Sequence, residues 1–159
     1  MMMKTWLWIP VLIAGADQVI KCIIRCAPLG FVFYRIDGFL EITYSANTGA
    51  AFSVLSGKTG LIASLSAILL VLLLFILLRS MKLTHMGRMA VVCLVGGGAG
   101  NLIDRLAFSY VTDYIRLLFI EFPVFNLADI VITCSVIGLL FLLAIGRLEE
   151  NAGEEHGSN

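Results

Sequence analysis

The sequence has little charge for its length. Of its 159 residues, 14% are Asp, Glu, Lys or Arg, and 11 basic residues balance 11 acidic ones. A soluble domain contains about 25% charged residues, and a nucleic-acid-binding protein carries a clustered basic face. The composition therefore argues against a water-soluble domain and against a nucleic-acid partner.

Histidine and cysteine are also scarce. The chain has two histidines, His85 and His156, and its four cysteines form no CxxC pair. A zinc site is therefore not expected, HExxH is absent, and no base is available for a serine or cysteine nucleophile. The sequence predicts neither a metal nor another cofactor.

What the chain does have is apolar residues, which make up 60% of it. A bilayer-spanning helix needs about 20 of them in succession. Four such segments are predicted, although glycines weaken the third while permitting close helix approach. Their approximate limits are 6–24, 61–78, 89–103 and 128–146.

The first segment also resembles a secretory signal peptide, because "AGA" at 14–16 looks like a cleavage site. Asp17 and Lys21 argue against that reading, because they are spaced as partners on one helical face. We therefore expect an uncleaved first transmembrane helix, and a single membrane domain over residues 1–148.

The fold class expected is an all-α membrane protein of four transmembrane helices with a small extracytoplasmic β-sheet. The β-rich insert is placed at 31–53, where Asp37-Gly38 predicts a hairpin. A second extracytoplasmic loop, 104–127, is expected to rest at the interface as a loop or interfacial helix. The acidic tail, 149–159, is predicted to be disordered.

Orientation follows from basic residues, which favour the cytoplasmic side. The basic loop "RSMKLTHMGR" at 79–88 is the strongest signal and places both termini in the cytoplasm. Most of the unusual polar residues then gather at the opposite, outer face, where ionisable side chains in a membrane protein indicate function. They are Asp17, Lys21, Asn47, Asn101, Asp104, Arg105, Asp113, Asn126 and Asp129.

Each of these residues also has a structural interpretation. Asp17 and Lys21 have the spacing of a helical ion pair. Asp104 and Arg105 are expected to orient neighbouring segments rather than perform chemistry. Asp113 and Asp129 arrive at one face from separate segments, and two close carboxylates share a proton, as in aspartic proteases.

Five motifs in order then resemble the lipoprotein signal peptidases (signal peptidase II), bacterial four-span membrane aspartyl proteases. They are "DQVIK" at 17–21, "NTGAAFS" at 47–53, "GGGAGNLIDR" at 96–105, "VTDY" at 111–114 and "FNLAD" at 125–129. The family usually has Phe where this chain has Tyr114.

The resemblance implies that Asp113 and Asp129 form the catalytic dyad. The substrate implied is a prolipoprotein with a diacylglyceryl-modified cysteine, cleaved just before that cysteine. We expect the enzyme to be a monomer in the bacterial inner membrane, in contact with membrane lipids. The active site would lie near the periplasmic face. The remaining site residues implied are Asn47, Gly49, Gly100, Asn101, Asp104, Arg105 and Asn126, supported by Asp17 and Lys21.

Two other functions remain open from the residues alone. A proton- or cation-coupled carrier would use Asp17, Lys21, Asp104 and Asp129, but the second and fourth spans have no ionisable residue in their inner halves. An assembly subunit would use the Gly96–Gly100 surface for helix packing. That reading leaves the converging carboxylates without a role.

Overall fold

A computed structural model describes residues 6–49, 57–79 and 83–149. Most of the acidic tail and the end of the predicted insert, residues 50–53, lie outside these ranges. In chain order the elements are α1 (Trp8–Arg25), β1 (Val32–Ile36), β2 (Leu40–Asn47), α2 (Thr59–Arg79), α3 (His85–Phe108), β3 (Val111–Leu117) and α4 (Leu127–Ala144).

The four predicted helices are present, but α3 is longer than predicted. It begins after Thr84, whose side chain accepts a hydrogen bond from the Gly87 amide at 3.2 Å. It ends at Ser109, which takes a left-handed φ of 61°. The prediction that a loop begins at residue 104 was therefore wrong, because no helix-ending residue occurs before Ser109.

Within the described ranges, α2, α3 and α4 are long and apolar enough to cross a membrane. α1 carries three ionisable residues spaced four apart, Asp17, Lys21 and Arg25. Asp17 and Lys21 are fully buried, whereas Val19 and Ile23 are about 60% exposed. This helix thus has an apolar outer side and a polar inner stripe, which lowers its mean hydropathy.

α3 lies between the other three helices because its glycines leave room for them. A Cβ atom at Gly96 would lie 2.9 Å from Ile13 Cβ of α1. At Gly97 it would lie 2.9 Å from the Ala128 carbonyl of α4, and at Gly98 2.8 Å from Leu70 of α2. The close approach predicted for the glycine run is confirmed.

The three strands form one antiparallel sheet in the order β1-β2-β3. The predicted hairpin joins β1 to β2, and Gly38 takes the positive φ of 71° that its turn requires. Residues 111–117 form β3, so the expectation of a loop or interfacial helix there was wrong. β3 pairs with the side of β2 that β1 does not occupy, and its Val, Thr, Tyr and Ile residues favour a strand.

Candidate active site

Asp113 lies in β3, where its carboxylate is 1% exposed and accepts two amide hydrogen bonds. Asn126 Nδ2 donates to Oδ1 at 2.7 Å, and Asn47 Nδ2 donates to Oδ2 at 2.9 Å. Asn47 ends β2 opposite Val111, so the β2–β3 register brings these two side chains together. Both oxygens of this carboxylate therefore have a fixed donor.

Asp129 lies in the first turn of α4 and is tied to the residue that caps this helix. Asn126 Oδ1 accepts from the Asp129 amide at 3.0 Å, while the Asn126 amide donates to Asp129 Oδ2 at 3.2 Å. Asn101 Nδ2 donates to the other oxygen at 2.7 Å. A carboxylate at this position is also stabilised by the helix dipole.

The three asparagines present their amide nitrogens to the two carboxylates because other donors occupy their oxygens. Lys21 Nζ donates to Asn101 Oδ1 at 2.8 Å, and the Gly49 amide donates to Asn47 Oδ1 at 2.9 Å. For Asn126 the donor is the Asp129 amide. Since each partner can only donate, each side-chain orientation follows from the hydrogen-bond network.

Asp17 and Lys21 form the predicted ion pair, with 2.7 Å between Asp17 Oδ2 and Lys21 Nζ. Asp17 Oδ1 also accepts from the Ala128 amide of α4 at 3.1 Å. Gly100 makes this packing possible, because a Cβ there would lie 2.6 Å from Asp17 Oδ2. The pair thereby connects α1 to both helices that bear site residues.

Asp104 joins α3 to the beginning of β3. Its Oδ2 accepts from the Thr112 amide at 2.8 Å, next to Asp113 in the chain. Arg25 donates to Asp104 Oδ1 and to the Thr112 hydroxyl, both at 3.0 Å, and Gln18 also donates to Asp104. Sequence reasoning missed Gln18, Arg25 and Thr112. The four-residue spacing that relates Asp17 and Lys21 extends to Arg25 and was the available signal.

Arg105 faces the same space with few partners. Its guanidinium makes two long contacts of 3.4 Å, to the carbonyl oxygens of Asn101 and Gly49. Burial lowers solvation of this group, and Asp113 and Asp129 lie close enough to act on its charge. Within the described ranges its Nε has no hydrogen-bond acceptor.

A cavity of about 530 Å³ brings the predicted site residues together. Asn47, Asn101, Arg105, Asp113 and Asp129 form its polar end. Within the described ranges, no group of three His, Cys, Asp or Glu side chains is arranged to bind a metal ion. The other lining residues are mostly apolar and include Val111, Leu117, Phe122, Pro123, Val124, Phe125, Ile130 and Ile132.

The two carboxylates differ in their electrostatic surroundings. Burial raises the pKa of Asp113 from 3.8 to about 7, and the negative charge of Asp129 acts in the same direction. Hydrogen bonds from Asn47 and Asn126 and the charge of Lys21 oppose that rise. At neutral pH a substantial fraction of Asp113 therefore carries a proton, next to a carboxylate stabilised by a helix N-terminus.

Comparison with known proteins identifies relatives over nearly the whole chain. A sequence model of the signal peptidase (SPase) II family matches residues 9–145. The lipoprotein signal peptidase of Lactiplantibacillus plantarum is 36% identical over 155 residues, which is 94% of this chain and 99% of that protein. The Streptococcus pneumoniae lipoprotein signal peptidase is 35% identical over 144 residues, which is 90% of this chain and 94% of its own.

Solved structures agree with these relatives. A bacterial membrane enzyme solved by the in meso method at 2.3 Å resolution superposes with a TM-score of 0.83 and 30% identity, covering 98% of this chain and 94% of its own. A second one, at 1.9 Å, gives 0.78 and 34%, covering 88% and 92%. From the match in both sequence and fold, we conclude that the chain belongs to the signal peptidase II family of membrane aspartic proteases.

Proposed function

We propose that the chain removes signal peptides from prolipoproteins and that Asp113 and Asp129 are its catalytic dyad. The observation that carries the dyad is Asn126, which contacts both carboxylates. Its side chain donates to Asp113 at 2.7 Å and its backbone amide donates to Asp129 at 3.2 Å. Two carboxylates that share one bridging residue and one cavity suit acid–base hydrolysis of a peptide bond.

In the proposed reaction the two aspartates have different roles. Asp129 acts as the general base and takes a proton from water, whose oxygen attacks the carbonyl carbon of the peptide bond. Protonated Asp113 donates a hydrogen bond to that carbonyl oxygen and stabilises the negative charge that develops there. Collapse of the intermediate breaks the C–N bond, and a proton passes to the leaving amine.

For substrate, we propose a prolipoprotein whose cysteine bears a diacylglyceryl group, cleaved just before that cysteine. The relatives named lipoprotein signal peptidase support the class of substrate. The cavity itself suits a lipid-borne peptide, because its walls are apolar and include Ile130 and Cys134, which are exposed on the outer side of α4. A substrate embedded in the bilayer would enter the cavity past this side of α4 without crossing water.

The proposed arrangement in the membrane has four spans, with α1 as the first. Both termini lie in the cytoplasm, and the active site lies near the outer face of the bacterial inner membrane. Exposed apolar side chains in the sheet and next to its strands, including Phe31, Phe33 and Phe39, would contact lipids there. One chain contains every residue assigned to the site, so a monomer is sufficient.

The dyad is tested with purified Asp113→Asn and Asp129→Asn variants and a synthetic diacylglyceryl-modified prolipoprotein. We expect cleavage by the wild-type chain and a loss of at least about 10³-fold in each variant, as removal of an acid–base group predicts. Product mass locates the cleaved bond. EDTA should leave the wild-type rate unchanged. Normal cleavage by either folded variant would rule out this pair.

A further inference from the structure

The first turn of α4 is attached to two other elements of the protein, α1 and β3, and to its own N-cap. The first amides of a helix have no partner within the helix, so outside groups must accept from them. Here Ala128 donates to Asp17 of α1 at 3.1 Å, and Asp129 donates to the Asn126 cap at 3.0 Å. Leu127, the first residue of the helix, donates to the Tyr114 hydroxyl at 3.0 Å.

The contact made by Tyr114 spans the two halves of the proposed dyad. Tyr114 follows Asp113 in β3, and Leu127 precedes Asp129 by two residues in α4. Backbone hydrogen bonds of 2.8 to 3.0 Å also join Tyr114 and Ile115 of β3 to Phe125, just before the Asn126 cap. The Tyr114 hydroxyl adds a side-chain contact from β3 to the first residue of the helix itself. The backbone bonds hold the segment before the helix, and the hydroxyl bond restricts how far Leu127 itself can move from β3.

The surroundings of Tyr114 make it a rigid and neutral acceptor. The side chain is 5% exposed and packs in a cluster with Ile24 and Tyr44. Burial raises the pKa of Tyr114 to about 12, so the phenol stays protonated wherever the enzyme works. A buried ring fixed by packing leaves the hydroxyl little freedom to follow a moving helix.

We infer that Tyr114, which stands in this chain where the family usually has Phe, is a positioning residue: its hydroxyl holds the first turn of α4 against β3 and so helps to set the separation of Asp113 and Asp129 in this protein. This inference rests on the proposed dyad. Geometry of the two carboxylates matters most in the transition state, since misplacing reacting groups by about 1 Å costs up to roughly 10²-fold in rate. Loss of the hydroxyl should therefore lower kcat and leave KM unchanged.

The test measures kcat and KM for Tyr114→Phe with a diacylglyceryl-modified prolipoprotein. We expect kcat to fall about tenfold and KM to stay within about twofold. Tyr44→Phe is the matched control, because it removes a hydroxyl of the same cluster whose hydrogen bond is made to Tyr110, at 2.8 Å, and not to α4. Its kcat should stay near wild type. An equal fall in the control would mean general loosening of the cluster and would overturn the inference.

A second variant deletes the same hydrogen bond from the other partner. Leu127→Pro removes the donor, and proline is well tolerated at the first position of a helix. The preceding residue must be extended, and Asn126 already has φ −132° and ψ 179°. The double variant should be about tenfold slower than wild type, like each single one, since both remove one bond.

Additive effects, near a hundredfold in the double variant, would overturn the inference, as would wild-type kcat in either single variant. If Tyr114→Phe does not fold, Leu127→Pro alone decides the question. Asp113→Asn and Asp129→Asn are measured alongside. Activity in either of them refutes the dyad itself, whereas inactivity in both with wild-type kcat in Tyr114→Phe refutes only the positioning role.

Discussion

At the scale of single residues, Asp113 stands out because no cation among the described residues directly contacts its buried carboxyl group. The structure's ion pairs neutralise Asp17 and Asp104 through Lys21 and Arg25, at 2.7 and 3.0 Å. Asp113 instead accepts hydrogen bonds from the side-chain amides of Asn47 and Asn126. Burial is therefore not compensated by a paired charge, and the group favours its protonated form.

The burial of Asp113 without a paired charge predicts how the stability of the fold depends on pH. The pKa of Asp113 is raised from 3.8 to about 7, so the folded chain binds this proton more tightly than the unfolded chain does. This proton therefore contributes fully to the stability of the folded chain below about pH 4. The contribution, at most about 4 kcal/mol, is lost as pH rises to about 7. Asp113→Asn removes this contribution.

The measurement is the thermal midpoint of wild type and Asp113→Asn in one detergent between pH 4 and 8. We expect the difference, wild type minus variant, to become less positive as pH rises, with most of the change below pH 7.5. A difference that stays constant across this range, or that grows with pH, would show that Asp113 carries no extra proton in the folded chain.

At the scale of elements, α3 organises the molecule because small residues line its contacts. Gly100 is the most demanding position, since an added Cβ would lie 2.6 Å from Asp17 Oδ2. Asp17 cannot move aside easily, because Lys21 and the Ala128 amide both bind its carboxylate. A methyl group there would push α1 away from the residues that support the site.

We therefore expect Gly100→Ala to lower stability by about 1–3 kcal/mol, as overpacking does, and to reduce cleavage as well. Gly138→Ala in α4 is the matched control, because an added Cβ there would meet no atom within 4 Å. That variant should be neutral or slightly stabilised. Thermal midpoints in one detergent compare the two. Equal midpoints would contradict the close packing of Asp17 on α3.

The elements also show which features can be read from sequence. The hairpin was predictable because Asp37-Gly38 determines its turn locally, and the four helices were located from runs of apolar residues, although α3 extends beyond its predicted limits. β3 could not be predicted in this way, because its partner β2 lies more than 60 residues earlier in the chain and long-range pairing has no local signal. Arg25 was missed for a similar reason: its partner Asp104 is 79 residues away.

The same distinction applies to the candidate site. The order of the motifs predicted Asp113 and Asp129 as the catalytic pair, but neither motif nor spacing indicated that Asn126 contacts both. Nor could the sequence show that Lys21 reaches Asn101, because that contact depends on how α1 packs on α3. Side-chain identity is local information, whereas a hydrogen-bond network is a property of the assembled fold.

At the scale of the whole molecule, charge is distributed unevenly along the helix bundle. The ends of α1 and α3 and the start of α4 carry the network that includes Lys21, Asp104 and Asp129. The opposite ends of α1 and α3, near Trp6 and His85, show a ring contact at 6.2 Å between centroids and no such network among the described residues. One end of the bundle therefore contains the proposed active site.

This asymmetry, together with the basic loop at 79–88, leads to a topology that labelling can test. Asp37, at the hairpin tip with its side chain 93% exposed, belongs to the end that bears the site. Lys4 precedes α1 in the sequence and Glu149 follows α4, so a membrane-spanning α1 places both on the cytoplasmic side. In a chain whose cysteines are replaced, Asp37→Cys should react with a membrane-impermeant maleimide in intact cells. Lys4→Cys and Glu149→Cys should react only after lysis.

The position of Lys4 decides whether α1 is a fourth span. If α1 instead rests on the outer surface, Lys4→Cys will react in intact cells together with Asp37→Cys, while Glu149→Cys stays protected. We expect protection, because α1 has a full apolar outer side and buries Asp17 and Lys21 against α3 and α4. Buried in that way, its charges do not meet lipid, and an 18-residue helix covers about 27 Å, close to the thickness of a hydrocarbon core.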